Sequence, residues 1–336
     1  TVQTIANKAW MKTNVHVTGA NDPGLDFSLT ASLNNYRNII QDTLFGGNVF
    51  SFNKTTTGTA TPITDALMTS LFENGISLLN YFGHSSATVL DYNLNSPYDY
   101  NNQGKYPLFI VNGCNAGNIY SHDTSRLFLI SSLSENFVLA KDRGAIGFIA
   151  STHFGVQSYL DAYNKGFYQS LSNTDYNKPV SYSIKDAINV LLSARLDSTT
   201  RYLHAEETCL HGDPALKINA HEKPDFVVEE PQVIINPTFI SLADTKFDVK
   251  VYFHNIGKAT GDKVNALIIR QYPDGSMDTL FNEQIKSIRF RDSVQLSVPI
   301  VASRDKGENK LIVSIDSKQQ YDELSELNNT VGKQFF

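Results

Sequence analysis

Two short apolar runs stand out along the chain, Ile76–Phe82 and Leu108–Asn112. Each has the length and continuity of a strand buried on both faces of a parallel sheet. Each runs into a glycine, Gly83 and Gly113. Upstream, Trp10–Thr18 predicts a strand in which Val15 and Val17 alternate around His16, and Ala20–Gly24 carries turn chemistry. Leu29, Leu33, Tyr36, Ile39, Ile40 and Leu44 then recur at helical spacing from Ser28 onward. Asn48–Phe52 predicts a second strand. Thr61-Pro62 opens a helix that carries Ile63, Leu67, Leu71 and Phe72 inward and stops at Gly75. Strands alternating with helices call for a parallel sheet.

Between the two runs lies Asp91–Lys105, rich in Tyr, Asn, Asp and Gly. Its oxygens could border a cleft or hold a structural calcium, and a solvated surface loop is the reading favoured for it. Helical spacing resumes around Leu127–Ala140 and ends at Arg143-Gly144. Ala145–Ala150 is another buried strand, followed by the loop Ser151–Gly155. Helices are expected over Ser158–Leu171 and Ser183–Leu196, and Gly212-Asp213-Pro214 turns into a last strand at Ala215–Ile218. Residues 1–220 thus read as one α/β domain.

Past Asn219–Asp225 the helical period disappears. Short alternating segments follow at Phe226–Val228, Gln232–Ile235, Phe247–Asn255, Val264–Arg270, Asp278–Ile285, Val294–Ile300 and Lys310–Ile315. Turn signals separate them, which is the pattern of an immunoglobulin-like β-sandwich over residues 225–336. It shows no acid/base cluster, and a spacer or adhesion-type role suits it.

A chain of 336 residues accommodates two such domains. Its net charge of −6 argues against a nucleic-acid partner. No apolar run approaches the ~20 residues of a membrane helix. A start at Thr1 reads as a mature or excised piece. Two cysteines, Cys114 and Cys209, do not make a disulfide framework. Cys209 and His211 form at best half a metal site without a second pair at matching spacing, so Cys209 is read as structural and no metal is assigned.

Chemistry gathers beyond the carboxyl ends of parallel strands. Gly83 is followed by His84 and Gly113 by Cys114, so imidazole and thiol emerge at equivalent strand ends. Separately, a buried histidine and an inert thiol are the plainer readings; together they point to a cysteine nucleophile. A free thiol titrates near ~8.5 and needs a base beside it. The oxyanion that forms on attack needs preorganised donors, and the backbone N–H groups of Ser85 and Cys114 are the natural candidates. No cofactor is required. His153 is expected at the same rim as a pocket residue, whereas His16, His122, His204, His211, His221 and His254 carry weaker signals.

At these residues the sequence resembles the gingipain-type cysteine peptidases, family C25 of the caspase-like clan. Asn74–His84 is similar to their catalytic-histidine segment, Asn112–Gly117 to their nucleophile segment, Ile149–Thr152 to a substrate-pocket strand, and His211–Leu216 to the Gly-Asp-Pro closing their catalytic domain. The resemblance covers roughly residues 10–218. It implies a caspase-like, mostly parallel sheet with helices on both faces. It also implies His84 as general base and acid, Cys114 as nucleophile, and Ser85 and Cys114 N–H groups as the oxyanion hole. The pocket wall would fall within Ser151–Tyr159, at Ser151, Thr152, His153 and Tyr159. The substrate would be a protein or peptide, and the location secreted or on the outer cell surface, with other secretion-system or surface proteins as partners. The type IX secretion sortase belongs to the same family, so a transpeptidase is the alternative outcome of the same dyad. A silent peptidase-like binding scaffold is a second alternative, and a metal-dependent hydrolase using Cys209 and His211 a remote third.

Departures accompany the likeness. Ser85 stands where the family usually has glycine. The assisting acid falls near Asn21, beside which Asp22 is the candidate, and Asp26 is a guess for the acid that selects a basic side chain. An upstream subdomain is not part of the matched region.

Overall fold

The computed structural model describes residues 3–20, 22–53, 66–91, 94–120, 132–241 and 244–336. They divide into two compact units, Trp10–Ala220 and Thr1–Ala9 with His221–Phe336. The first residues, expected from the sequence to belong to the α/β domain, thus group with the C-terminal unit. They carry one turn of helix, α1 (Ile5–Lys8).

The α/β unit runs β1 (Thr13–Gly19), α2 (Pro23–Gln41), β2 (Asn48–Phe52), α3 (Ala66–Asn74), β3 (Leu78–Gly83), β4 (Leu108–Asn112), α4 (Leu133–Leu139), β5 (Gly147–Ser151), α5 (Gln157–Gln169), α6 (Val180–Ser193), α7 (Ser198–Glu207) and β6 (Thr208–Gly212). The sheet order is β2-β1-β3-β4-β5-β6. All neighbours are parallel except β6, which pairs antiparallel with β5 from Gly147↔Gly212 to Ser151↔Thr208. Every residue of β1, β4 and β5 is buried, as central parallel strands require. Even-numbered residues of β3 and β4 (Leu78, Phe82, Leu108, Ile110) pack with α2, α5 and α6, while odd-numbered ones (Leu79, Tyr81, Phe109, Val111) pack with α3 and α4. That alternation is the period-two consequence of the pleat.

Several local expectations are corrected. Ala20–Gly24 is not a free turn: Asp22 caps α2, its Oδ1 accepting from the N–H groups of Gly24 (2.9 Å) and Leu25 (3.1 Å), with Pro23 in the first turn. Trp10 lies in a single 3₁₀ turn before β1 rather than in the strand. The start at Thr61-Pro62 and residue Ile63 lie outside the described residues. Within α3 the inward residues are Met68, Leu71 and Phe72, and Leu67 is exposed. Gly75 ends that helix at φ +101°, a left-handed cap that glycine adopts without strain. Over Leu127–Ala140 the described helix is α4, capped by Ser132.

The segment Asp91–Lys105, apart from Tyr92 and Asn93, is not simply solvated. Tyr100 stacks on Phe72 with ring centroids 4.0 Å apart, and buried Asn102 exchanges hydrogen bonds with the backbone of Gly144. The last strand is β6, not Ala215–Ile218. It is an edge strand with every residue partly exposed, so it carries no apolar run to reveal it. Helix α7 is polar and buries only His204, which hid it equally well.

The C-terminal unit contains β7 (Phe226–Val227), β8 (Val233–Asn236), β9 (Lys246–Asn255), β10 (Val264–Gln271), β11 (Met277–Ile285), β12 (Arg291–Pro299), α8 (Ala302–Asp305), β13 (Asn309–Ile315) and β14 (Thr330–Phe335). One sheet is ordered β11-β10-β13-β14 and the other β12-β9-β7, with β8 also on β9. Their inward residues form one apolar cluster, the anatomy of a β-sandwich. Strand β14, an edge strand of half-exposed and exposed residues, is additional to the seven expected. The sandwich does hold buried charge: Arg270 pairs with Asp305 at 3.1 Å and lies over the rings of Phe247, Tyr272 and Phe335.

Candidate active site

Strands β3 and β4 are hydrogen-bonded neighbours with Phe82 opposite Asn112. The turns that follow them therefore leave the same rim side by side, His84 from one and Cys114 from the other. His84 is exposed and Cys114 half-buried.

The backbone of the His84 turn is held firmly. Its N–H donates to Gly19 O (2.9 Å), and its carbonyl accepts from Asp91 N–H (2.9 Å) and from the Tyr81 hydroxyl (2.5 Å). Burial, the largest cause, drives the Tyr81 phenol well above its ordinary range, so it remains a donor. The imidazole is left free: among the described residues its ring has no hydrogen-bond partner.

Around Cys114 the chain is tied on both sides. Ser85 Oγ donates to Cys114 O at 2.8 Å. On the other flank Asn115 N–H donates to His153 O (2.7 Å) and Gly117 N–H to Ser151 O (2.9 Å). Asn115 takes a left-handed φ of 57°, where asparagine is better tolerated than most residues. The sulfur itself faces Gly155, 3.4 Å from its N–H and 3.8 Å from its carbonyl. Gly113 has to be glycine, since a Cβ there would lie 2.1 Å from Ser85 Oγ and 2.6 Å from Gly83 O. Among the described residues neither Ser85 N–H nor Cys114 N–H has an acceptor.

The expected pocket segment follows β5. Ser151 is buried, its hydroxyl 3.2 Å from His153 O and 3.3 Å from Glu207 Oε2; Thr152 N–H donates to Glu207 O (2.9 Å). His153 is exposed, edge-on to Phe154, itself 63% exposed. Tyr159 is buried and stacked on His204 at 4.8 Å, away from solvent. His204 accepts from Val156 N–H through Nε2 (2.9 Å) and donates from Nδ1 to Thr200 O (2.9 Å), a neutral structural ring.

Asp22 is exposed and spends Oδ1 on the α2 cap, so it is not bonded to His84. Asp26, one turn on, has a buried Oδ1 without a partner. Asn21 and His122 lie outside the described residues. Cys209 and His211 sit on β6 opposite Ala150 and Phe148. Burial pushes the Cys209 thiol up and the His211 imidazole down. Among the described residues no three His, Cys, Asp or Glu side chains gather as a metal site, and no helix is long and apolar enough to cross a membrane.

Sequence reasoning missed Gly155, Glu207 and the Tyr81 hydroxyl. Gly155 meets the sulfur through its backbone, and Glu207, the last residue of α7, reaches Ser151 with its carboxylate and Thr152 with its carbonyl; neither contact leaves a periodicity. Tyr81 read as one more apolar residue of its run.

The model of peptidase family C25 matches residues 2–219. The crystal structure of the Arg-specific cysteine proteinase gingipain R (RgpB) is 16% identical with a TM-score of 0.51, covering 98% of this chain and 68% of that one. The complex of Porphyromonas gingivalis RgpB pro- and mature domains gives 15% identity and a TM-score of 0.50, covering 97% and 68%. The CARDB domain of PF1109 from Pyrococcus furiosus covers 34% of this chain and 89% of its own at 17% identity and a TM-score of 0.27. The search of curated proteins gives no match. The gingipain likenesses bear on the fold alone, a caspase-like α/β core.

Proposed function

Because this chain belongs to peptidase family C25, we propose that it is a cysteine endopeptidase acting through Cys114 and His84. The observation that carries the reading is the pairing of two neighbouring strand-end turns, joined by the 2.8 Å bond from Ser85 Oγ to Cys114 O. In the proposed cycle His84 takes the thiol proton and the Cys114 thiolate attacks a peptide carbonyl. The N–H groups of Ser85 and Cys114, which lack acceptors among the described residues, stabilise the oxyanion. His84 then gives the proton to the leaving amine as the C–N bond breaks, leaving a thioester on Cys114. Water, deprotonated by His84, attacks the thioester; the acid product departs and the thiol is restored. Thr152 and His153 border the substrate, with buried Ser151 and Tyr159 as support behind them. The substrate is a protein or peptide, met outside the cell as the resemblance to the gingipains implies.

A panel of fluorogenic peptides tested with wild type, Cys114→Ala and His84→Ala decides the matter. Cleavage by wild type and its loss, by at least ~10³-fold, in both variants is expected. Identical traces from wild type and Cys114→Ala across the panel, with Cys114 alkylated no faster than Cys209, would sink the proposal.

A further inference from the structure

Beneath the two turns the apolar core is interrupted by three carboxamides. Asn80 lies on β3, Asn112 on β4 and Asn164 on α5, and all three are buried. They form a closed ring, and on its Asn112–Asn164 side Asn112 Nδ2 also donates back to Asn164 Oδ1 (3.3 Å). Asn80 Nδ2 donates to Asn164 Oδ1 (3.2 Å), Asn164 Nδ2 to Asn112 Oδ1 (2.5 Å), and Asn112 Nδ2 to Asn80 Oδ1 (2.8 Å). Further bonds saturate it: Asn80 Nδ2 to Tyr168 OH (3.0 Å), Asn164 Nδ2 to Leu160 O (2.8 Å), and Asn112 Nδ2 to Tyr81 O (3.2 Å). None of the six amide heteroatoms is left without a partner. Reversing any one amide would break two sides of the ring at once, so the arrangement is self-consistent in a single orientation.

Leucines of similar size would fill this space without polar burial. A fully satisfied buried polar ring instead selects one geometry among packings that apolar side chains would tolerate. Its members sit on β3 and β4, which run into the His84 and Cys114 turns, and on α5, which follows the Gly155 loop. Asn112 is two residues before Cys114, and Asn80 four before His84. Helix α5 follows directly from the loop whose Gly155 faces Cys114 Sγ.

We propose that Asn80, Asn112 and Asn164 are positioning residues that lock the His84 turn, the Cys114 turn and the Gly155 loop to one another; this rests on the peptidase reading above. Displacements of about 1 Å at reacting groups can cost ~10²-fold in rate, so a ring that fixes three backbones just below the site governs turnover rather than substrate affinity.

Two variants separate this from a merely structural role. Asn164→Leu breaks two sides of the ring and strands the other amides, and it is expected to lower both stability and kcat. The triple variant Asn80→Leu/Asn112→Leu/Asn164→Leu removes all three amides together, leaving only Tyr168 OH, Leu160 O and Tyr81 O without these donors, a change that can be nearly neutral for stability. Under the proposal the triple variant melts near wild type. Its kcat nevertheless falls by roughly ten- to a hundredfold with KM within about threefold, and the pH profile of Cys114 alkylation by iodoacetamide shifts. If the triple variant recovers kcat and the wild-type alkylation profile along with its stability, the ring only fills the core and the proposal is overturned. Should the triple variant not fold, the alkylation profile of Asn164→Leu at a temperature where it is folded separates the same two cases: a shifted profile supports the proposal and a wild-type one overturns it. Failure of the peptidase reading looks different: wild type itself then shows no cleavage and no preference for Cys114 over Cys209, and both proposals fall.

Discussion

The hydroxyl of Ser85 donates a 2.8 Å hydrogen bond to the carbonyl oxygen of Cys114, so the residue after the proposed base holds the backbone of the proposed nucleophile. A glycine at 85 would keep the N–H but have no such tether. Ser85→Ala isolates the hydroxyl, because alanine retains the N–H in the same conformation. A neutral, half-exposed hydrogen bond contributes about 0.5–1.5 kcal/mol net, which places the expected fall in kcat at about two- to tenfold, with KM little changed. Steady-state kinetics check it, and an unchanged kcat would mean that the backbone ladders hold the turn unaided.

Gly113 makes a harder demand. The Cβ of Gly113→Ala would meet Ser85 Oγ at 2.1 Å and Gly83 O at 2.6 Å. Ser85→Gly removes only the first obstacle, since the second is backbone of the adjacent strand. Gly113→Ala is therefore expected to abolish turnover and to cost at least ~2 kcal/mol, with the Gly113→Ala/Ser85→Gly double variant no better. Thermal denaturation and peptide cleavage measure both. Restored activity in the double variant would show that the serine hydroxyl alone excludes a larger residue.

What could be read from the chain follows burial. Strands β3 and β4 are buried on both faces, so their apolar runs and the His84 and Cys114 that follow them stand out. Strand β6 and helix α7 are an edge and a polar surface element, and neither leaves a run of apolar residues to find. The Asn residues at 80 and 112 passed as ordinary members of those runs, because a pattern along one strand cannot disclose a partner on α5. The contact of Gly155 with the sulfur is likewise a backbone approach across strands, set by the turn at Asn115 and not by any side-chain period. Tyr100 and Asn102 were masked by their polar neighbours, although their burial ties the loop to α3 and to Gly144.

His16 gives the α/β unit an acid-sensitive point. It is fully buried on β1, its Nε2 bonded to Tyr168 OH at 2.9 Å. Burial, the dominant cause, pushes it from 6.5 down to about 3. The folded chain thus keeps it neutral while the unfolded chain takes up a proton below pH 6.5. Its contribution is whole above that pH and is lost as pH falls towards about 3, at up to ~1.4 kcal/mol per pH unit. Buried carboxylates complicate the lower range, so the clean window is pH 6.5 to 5, where ~2 kcal/mol should go. Hydrogen exchange of β1 and β3 amides in wild type and His16→Gln tests it. The variant should show a smaller loss across that window, and parallel losses would place the acid sensitivity elsewhere.

Glu323 sets the opposite dependence in the sandwich. It is 6% exposed, its Oε1 accepting from Asn329 Nδ2 at 2.7 Å and its Oε2 from Phe226 N–H. Burial pushes it up to about 8; Glu326 and Asp316 add to the rise, against the two hydrogen bonds. A carboxyl raised in this way stabilises the fold fully below its ordinary value near 4.5, and that contribution is lost as pH climbs through about 8. Asp225, raised to about 6, has the same sign. Glu323→Gln removes the titration. Its side-chain oxygen can still accept from Phe226 N–H, and its NH₂ finds an acceptor if the Asn329 amide turns over, since Asn329 Oδ1 has no partner as it stands. The variant should therefore fold, match wild type near pH 5, and exceed it by up to ~4 kcal/mol at pH 8. Hydrogen exchange of β7 and β13 amides between pH 5 and 8, corrected for intrinsic rates, reads the difference directly. Curves for wild type and variant that stay parallel over that range would mean that Glu323 is ionised in the folded sandwich throughout.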